Sequence, residues 1–274
     1  MELIDHVEKS LMPMTWVLLR GLMRDQRHWG EFPQLLEQQL VNSRVVTLDF
    51  PGNGALHTER SLETIEEMAH WCGTQLRERN VPPPYCVLAN SLGAMVAVAW
   101  AVAQPADLAA AVLINTSMRP YGAAHQRMRP AAWPTLLRVA FGSPDARTTE
   151  SAILRLTSFR QAENAQLLEQ WVAWREAAPV SRANALRQLI AAARFHGPPV
   201  APRSPVLLLA GVRDRLVDPR CSQRMAQAWN TTLVLHADAG HDLPLDDPHW
   251  VIQQVQAWLA RQPLLLQAAA KAHR

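Results

Sequence analysis

The chain has 274 residues, of which 49% are hydrophobic and 19% charged, with a formal net charge of +3. This composition excludes a disordered or fibrous protein, and the length fits one large α/β domain or a core with an inserted subdomain. The basic residues form no cluster interleaved with aromatic residues, so we do not expect nucleic-acid binding.

The cysteines carry information about the cellular compartment. Cys72, Cys86 and Cys221 are too few for a disulfide framework and lack the Cys-x-x-Cys spacing of metal or redox sites. This favours a reducing compartment. The apolar run at residues 16–19 is too short for a signal peptide or a membrane span, so we expect a cytoplasmic protein without a membrane span.

The first half of the chain alternates predicted strands with predicted helices. Short apolar runs predict buried strands at residues 15–19, 44–48, 85–90 and 108–115. Apolar residues at helical spacing predict helices over residues 29–40, 64–78 and after residue 91. The alternation predicts the α/β class, with a mostly parallel sheet and helices on both faces.

The third predicted strand ends at Ser91, and small and apolar residues follow from Leu92 at helical spacing. A serine at a sharp strand-to-helix turn projects its hydroxyl into a cleft, where the helix N-terminus faces any anion. Serine is also a common helix N-cap, so this turn alone does not establish a nucleophile. In the elbow pattern Gly-x-Ser-x-Gly, Ala89 replaces the first glycine and Gly93 matches the second.

The pattern changes after the fourth predicted strand. Residues 118–200 contain helix-like segments separated by proline and glycine, without a convincing strand. We predict a helical lid over the carboxyl edge of the sheet, inserted after the strand that ends near Asn115. The predicted domains are therefore a core of residues 1–117 and 201–274, and a lid of residues 118–200.

Strand character returns in the last part of the chain. We predict strands at residues 205–210 and 231–236, helices at 219–229 and 248–261, and a frayed helix at 263–274. Asp214 follows the first of these strands and His241 follows the second, so both lie at the carboxyl edge of the predicted sheet, with Ser91. A serine hydroxyl becomes nucleophilic when an imidazole accepts its proton and a carboxylate orients that imidazole.

The order Ser, Asp, His along the chain is that of the α/β hydrolases. Over residues 15–259 the chain resembles this superfamily, in the form of a small capped serine esterase. The resemblance implies that Ser91 is the nucleophile, Asp214 the acid and His241 the base. It also implies an oxyanion hole formed by the backbone N–H groups of Leu22 and Leu92.

Further matches and departures belong to the same resemblance. Residues 49–54, Asp-Phe-Pro-Gly-Asn-Gly, resemble the family's Asp-x-Pro-Gly-x-Gly turn. Arg20 replaces the family's usual histidine before the oxyanion glycine, and residues 1–14 are too short for its N-terminal hairpin, so we expect a shortened sheet. Arg20, Asn90 and Ser117 are predicted to line the substrate pocket.

Other residues compete for the same roles. Asp218 and Asp238 are alternative acids, although Asp218 precedes Pro219 at a predicted helix start and Asp238 lies only three residues before His241. His236 lies within a predicted strand and His249 at a predicted helix start, which favours structural roles. The acid-rich segment 241–249 lacks the ligand spacing of a known metal site, so we predict no metal.

The favoured function is hydrolysis of carboxylic esters through an acyl-enzyme on Ser91, without a cofactor. A carbon–carbon bond hydrolase, an acyltransferase or a non-catalytic binding protein of the same fold are the alternatives. The substrate is expected to be a small-molecule or carrier-bound acyl ester. Residues 118–200 hold eleven arginines against five acidic residues. These arginines either pair locally or attract an acidic carrier protein, as in the pimeloyl-carrier-protein methyl ester esterases that the chain resembles in general layout.

Overall fold

A computed structural model describes residues 13–141 and 145–262 of the chain. The predicted tail helix at 263–274 and most of the N-terminal segment lie outside these residues. Six strands form one sheet in the spatial order β2-β1-β3-β4-β5-β6. They are β1 (Met14–Leu19), β2 (Ser43–Leu48), β3 (Tyr85–Asn90), β4 (Leu108–Ile114), β5 (Val206–Gly211) and β6 (Thr232–His236).

Eleven α-helices occur in the described part of the chain. Before the fourth strand lie α1 (Phe32–Gln39), α2 (Ile65–Glu78) and α3 (Leu92–Ala103). Between β4 and β5 lie α4 (Ala124–Arg127), α5 (Trp133–Phe141), α6 (Ala146–Thr157), α7 (Ala165–Ala177) and α8 (Arg182–Arg194). The last three are α9 (Arg220–Trp229), α10 (Leu243–Asp246) and α11 (Pro248–Leu259).

Every described strand pair is parallel, so the predicted sheet is confirmed. Because helices cover both faces, the strands are apolar on both sides. Alternate residues of β1 show this: Val17 and Leu19 join one buried cluster, while Trp16 and Leu18 join the other. Trp29, predicted as a core residue, belongs to the second cluster and is only 4% exposed.

The strand order locates a crevice. From β1 the chain continues to β2 on one side, and then returns to β3 on the other side of β1. Ligands of open parallel sheets bind beyond the carboxyl ends of the strands where the order reverses in this way. That position is where β1 leads into Arg20 and β3 leads into Ser91.

Two helix boundaries differ from the prediction. The segment predicted as one helix over 29–40 is a 3-10 helix, Gln26–Trp29, followed by α1. Asp25 caps the 3-10 helix, and Gly30, with φ 54°, separates the two. The final helix ends at Leu259 instead of residue 261.

The insertion, residues 118–200, is helical as predicted. Its described part contains helices α4–α8 and a single β-bridge between Arg119 and His196, without a strand. Side-chain caps begin the three longest helices, with Asp145 before α6, Asn164 before α7 and Ser181 before α8. The division into a core and a lid domain stays a prediction.

Candidate active site

Ser91 occupies a strained turn between β3 and α3. Its φ of 55° and ψ of −114° lie outside the regions that residues with a side chain usually adopt. The Ser91 N–H donates to the carbonyl of Ile114 at 2.9 Å, and the Thr116 hydroxyl donates to the Ser91 carbonyl at 3.1 Å. Both partners lie at the end of the neighbouring strand β4, so the sheet itself holds the turn.

Two glycines allow the β1 loop to approach this turn. A Cβ on Gly93 would lie 2.5 Å from the Leu19 carbonyl oxygen, a distance that no side chain tolerates. A Cβ on Gly21 would lie 3.1 Å from the Cβ of Ser91. The loop after β1 therefore passes directly over Ser91, and glycine at both positions makes that approach possible.

Asp214 and His241 meet at the same edge of the sheet. The Nδ1 atom of His241 lies 2.7 Å from Oδ2 of Asp214, and both side chains are buried. The other oxygen of Asp214 accepts the N–H groups of Leu216 and Val217 at 2.7 and 2.8 Å. An ionised carboxylate only accepts hydrogen bonds, so Nδ1 is the donor in this contact, and in the neutral imidazole Nε2 would then be the acceptor.

The competing residues are engaged elsewhere. Asp218 binds Arg220, with Oδ2 2.6 Å from Nη2, and Asp238 is an exposed residue beside Arg213. The Nε2 atom of His236 lies 3.1 Å from Oδ2 of Asp247, and His249 contacts Gln39 at the surface. Of these acids, only Asp214 contacts His241 within the described ranges.

Ser91 and His241 make no direct hydrogen bond in the described structure. Two consecutive residues at the end of β4 bond to their two turns: the Ile114 carbonyl accepts the Ser91 N–H, and the Asn115 side chain donates to the carbonyl of His241 at 2.8 Å. Nucleophile–base contacts are often long before substrate binds.

The predicted oxyanion donors follow two neighbouring strands, Leu22 after β1 and Leu92 after β3. Leu92 is the first residue of α3, and Leu22 follows the glycine that crosses Ser91. Neither backbone N–H donates a hydrogen bond to another residue of the part that the structure describes. Both groups are therefore free to bind a ligand oxygen.

Residues 16–254 match the model of the alpha/beta hydrolase family. The chain belongs to the alpha/beta hydrolase family. No functionally curated protein matches it.

The hydrolase is similar to several solved structures. A thermophilic esterase from Thermogutta terrifontis has 22% identity and a TM-score of 0.70, covering 92% of this chain and 91% of that one. A hydrolase from Pseudomonas aeruginosa PA01 has 19% identity and a TM-score of 0.71, covering 90% of both chains. A bacterial membrane phospholipase A has 21% identity and a TM-score of 0.70, covering 94% of this chain and 80% of that one. At identities of 19–22%, this structural similarity shows that the fold is shared, and it does not by itself assign a function.

Arg20 makes an internal ion pair in this hydrolase. Its Nη1 donates to Oδ1 of Asp242 at 3.0 Å, its Nη2 contacts Oδ2, and the guanidinium lies 4.6 Å from the centre of the Trp29 ring. Burial alone would raise the pKa of Asp242, but Arg20 outweighs it and holds the pKa below its usual value. Arg20 is 2% exposed and its terminal nitrogens are occupied, so a contact between Arg20 and substrate stays a prediction.

The other two predicted pocket residues are buried. Asn90 is 3% exposed, and its Oδ1 has no hydrogen-bond partner among the described residues. The Ser117 hydroxyl donates to the carbonyl of Arg127 at 3.3 Å. Asn90 therefore brings an unpaired polar atom next to Ser91, while the Ser117 hydroxyl is used within the protein.

Two residues that support the His241 turn were not predicted from the sequence. Asn115, with φ 47°, accepts the Gly211 N–H at 2.8 Å and donates to the carbonyls of Gly240 and His241. Asp246 accepts the Gly240 N–H at 2.6 Å. Asn115 is the last residue of a predicted strand, so its position at the carboxyl edge of the sheet could have indicated this role, whereas nothing in the local pattern distinguishes Asp246 from its acidic neighbours.

Three further observations concern metal binding, membrane-spanning helices and a surface cavity. No group of three or more His, Cys, Asp or Glu residues within residues 13–141 and 145–262 is arranged to hold a metal ion. Over the same residues, none of the helices combines the length and hydrophobicity needed to span a bilayer. A surface cavity of about 370 Å³ lies beside Gln34 and Thr47, and none of the predicted site residues lines it.

Proposed function

We propose that this hydrolase cleaves carboxylic esters through an acyl-enzyme on Ser91. The observation that carries the proposal is the pairing of a serine on a strained turn with a buried histidine–carboxylate couple at the same sheet edge. This combination is what an activated serine nucleophile requires. The esterase and phospholipase structures among its neighbours agree with ester hydrolysis.

In the proposed mechanism the same groups act in both half-reactions, with His241 first accepting and then donating a proton in each. The Ser91 oxygen attacks the acyl carbon while Nε2 of His241 accepts its proton, and Asp214 stabilises the resulting imidazolium. The Leu22 and Leu92 N–H groups bind the oxyanion. His241 then protonates the departing alcohol, and water, activated in the same way, releases the acid and restores Ser91. This chemistry needs no cofactor.

We extend the proposal to the domains and the compartment. Residues 118–200 would form the lid over a core of residues 1–117 and 201–274, which limits the size of the acyl group that reaches Ser91. The described cysteines are all free and buried, which supports a cytoplasmic location.

We further propose that the substrate is a carrier-bound ester. This proposal depends on whether the arginines of the insertion are free to bind an acidic carrier protein. Several of them pair with carboxylates, including Arg147 with Glu169, Arg155 with Glu163 and Arg175 with Glu150. Arg119, Arg138 and Arg194 are exposed. They make no ion pair with a described carboxylate, so they are the arginines available to an acidic carrier protein. If they attract one, kcat/KM for a carrier-bound ester should fall with salt more steeply than for a neutral ester.

Labelling with a fluorophosphonate tests the proposed nucleophile. We expect one covalent adduct on Ser91, and Ser91→Ala should lose both the adduct and hydrolysis of p-nitrophenyl esters. Ser204→Ala is the matched control, because Ser204 is also buried but binds the Leu108 carbonyl at the opposite edge of the sheet. Full hydrolysis by Ser91→Ala would refute the mechanism. Absence of any adduct on the folded protein would favour a binding protein instead.

Product analysis separates the reactions that share this machinery. An ester hydrolase releases an acid and an alcohol, whereas an acyltransferase passes the acyl group to an added alcohol or amine. A carbon–carbon hydrolase would act on a diketone and leave esters intact. Labelling of Ser91 together with slow ester hydrolysis would favour one of these two reactions.

A further inference from the structure

The turn that carries Leu22 has an unfavourable backbone. The Arg24 N–H donates to the Gly21 carbonyl at 3.2 Å, and Met23 has a φ of 55°. This is the pattern of a type II turn, which normally has glycine or asparagine at the third position. A methionine in that position favours the opposite orientation of the peptide between Leu22 and Met23, so another contact must hold the turn.

That contact comes from the insertion. The N–H of Met23 donates to Oε1 of Gln188, on helix α8, at 2.9 Å. Gln188 is 1% exposed, and its Nε2 donates to Asn53 at 2.7 Å and to Ser61 at 3.0 Å, so its amide cannot rotate without losing three hydrogen bonds. The peptide that Gln188 fixes is the one whose orientation distinguishes a type II turn from a type I turn.

A second helix of the insertion holds the next residue. Arg24 Nη1 lies 2.8 Å from Oε2 of Glu150, on α6, and the Arg24 guanidinium lies 4.2 Å from the centre of the Trp171 ring, on α7. Glu150 is 1% exposed and also binds Arg175 Nε at 2.6 Å. Burial alone would raise the pKa of Glu150, but Arg24 and Arg175 outweigh it and lower the pKa, so the carboxylate is ionised.

We propose that Gln188 and Glu150 are positioning residues that hold the Gly21–Arg24 turn with the Leu22 N–H directed over Ser91. The insertion then forms part of the oxyanion hole in addition to covering it. This inference rests on the proposed function, in which the Leu22 N–H binds the oxyanion. The Gln188 contact fixes the peptide immediately after Leu22, so its loss allows the turn to relax and the Leu22 N–H to tilt away from the crevice.

The test compares two buried amides on the same helix. Gln188→Met keeps the length of the side chain and removes the acceptor. Asn184→Leu is the matched control: Asn184 accepts the Ser61 N–H at 3.0 Å and donates to the Glu59 carbonyl at 2.8 Å, without touching the Gly21–Arg24 turn. Removing an oxyanion donor lowers kcat by about 10²–10³, so we expect Gln188→Met to lower kcat at least about tenfold with less change in KM. Asn184→Leu should keep kcat within about twofold.

A compensating substitution makes the test specific. Asparagine tolerates positive φ, so Met23→Asn should restore most of the kcat lost in Gln188→Met. Equal losses in Gln188→Met and Asn184→Leu, wild-type kcat in Gln188→Met, or failure of Met23→Asn to restore kcat would overturn the inference. Amide exchange in the wild-type protein provides a measurement that does not depend on any variant folding. We expect the Met23 N–H to exchange slowly, and exchange at the rate of a free loop would overturn the inference.

Ser91→Ala, assayed in parallel, separates the two possible failures. Full activity in Ser91→Ala would refute the proposed function. An inactive Ser91→Ala together with wild-type kcat in Gln188→Met would leave the proposed function intact and refute only the positioning role.

Discussion

The turn at Ser91 and the turn at Met23 follow neighbouring strands, and both residues have a φ of 55°. Sheet neighbours hold the first: Ser91 binds Ile114 and Thr116 at the end of the adjacent strand. The second is held from the insertion, by Gln188, which lies 165 positions further along the chain. A positive φ is therefore supported in one case by the core and in the other by a peripheral segment.

This difference has a consequence for stability and activity. A change that loosens the insertion should affect the Met23 turn before it affects the Ser91 turn. A change in the core should affect both turns together.

The largest effect is expected at the buried ion pair between Arg20 and Asp242. Arg20→Met leaves Asp242 as an unpaired buried charge, so the free energy of unfolding should fall by about 3–5 kcal/mol. The double variant Arg20→Met/Asp242→Leu should be more stable than Arg20→Met, because it removes both charges. Urea unfolding at neutral pH measures all three proteins. Equal losses in the single and double variants would show that packing of Arg20 on Trp29 matters more than the charge.

Gly93→Ala tests the core side of the comparison. The added Cβ meets the backbone oxygens of Leu19 and Arg20 at 2.5 and 2.7 Å, so either α3 or the β1 loop must shift. We expect a loss of about 1–3 kcal/mol in stability and about 10² in kcat/KM, because the two turns move apart. Gly73→Ala in α2 is the control, since its Cβ meets only the ends of flexible side chains. Wild-type activity in Gly93→Ala would contradict the close approach.

His28 connects stability to pH on the insertion side. Burial, and secondly Arg24, lower the pKa of His28 to about 4. The histidine lies between the Trp171 and Trp174 rings, and Arg24 Nη1 donates to its Nε2 at 3.0 Å. Between about pH 6.5 and pH 4 the unfolded chain binds a proton that the folded chain does not, so stability falls as pH falls through that window.

The expected size of this effect is about 2 kcal/mol between pH 7 and pH 5. His28→Gln should flatten that part of the stability curve, measured by urea unfolding at several pH values. The exposed His125 offers a control, because His125→Gln should leave the curve unchanged. An unchanged slope in His28→Gln would mean that another group causes the dependence.

The smallest effect is expected on the outer surface of the insertion. Arg147 and Glu169 form an ion pair with both side chains 57% exposed. Arg147→Ala should change stability by less than about 1 kcal/mol and leave kcat unchanged, because water screens such pairs. A large loss of kcat would show that even the outer face of the insertion controls the Met23 turn.

The sequence was sufficient for the features that depend on local pattern. The strand before Ser91, the small residues after it and the polar turns at Asp214 and His241 each follow from a short stretch of chain, and the parallel sheet brings them to one edge. The supporting residues could not be identified in this way. Helical spacing places Glu150 and Gln188 on helices, but their partners, Arg24 and Met23, are determined by how the insertion packs on the core.

Arg20 shows the same limit in a single residue. Its departure from the family's histidine was visible in the sequence, whereas its partner Asp242 lies 222 positions away and looks like one of several acids in a loop. The helix predicted over 29–40 begins later, at Phe32, because Gly30 adopts a positive φ that ends the preceding 3-10 helix. The spacing of apolar residues along the sequence carries no information about a positive φ at one glycine.

Helix α6 contacts the core at both of its ends. Glu150, near its start, binds Arg24, and at its end the Thr157 carbonyl accepts the Asp242 N–H at 2.7 Å. Beyond it, Phe159 N–H donates to Asp246 at 3.0 Å. Recombining this protein with a relative would therefore require the residues around Arg24 and Asp242 to be exchanged together with the helices. A graft of the helices alone would separate these partners, which makes the insertion a poor module for engineering new specificity by domain exchange.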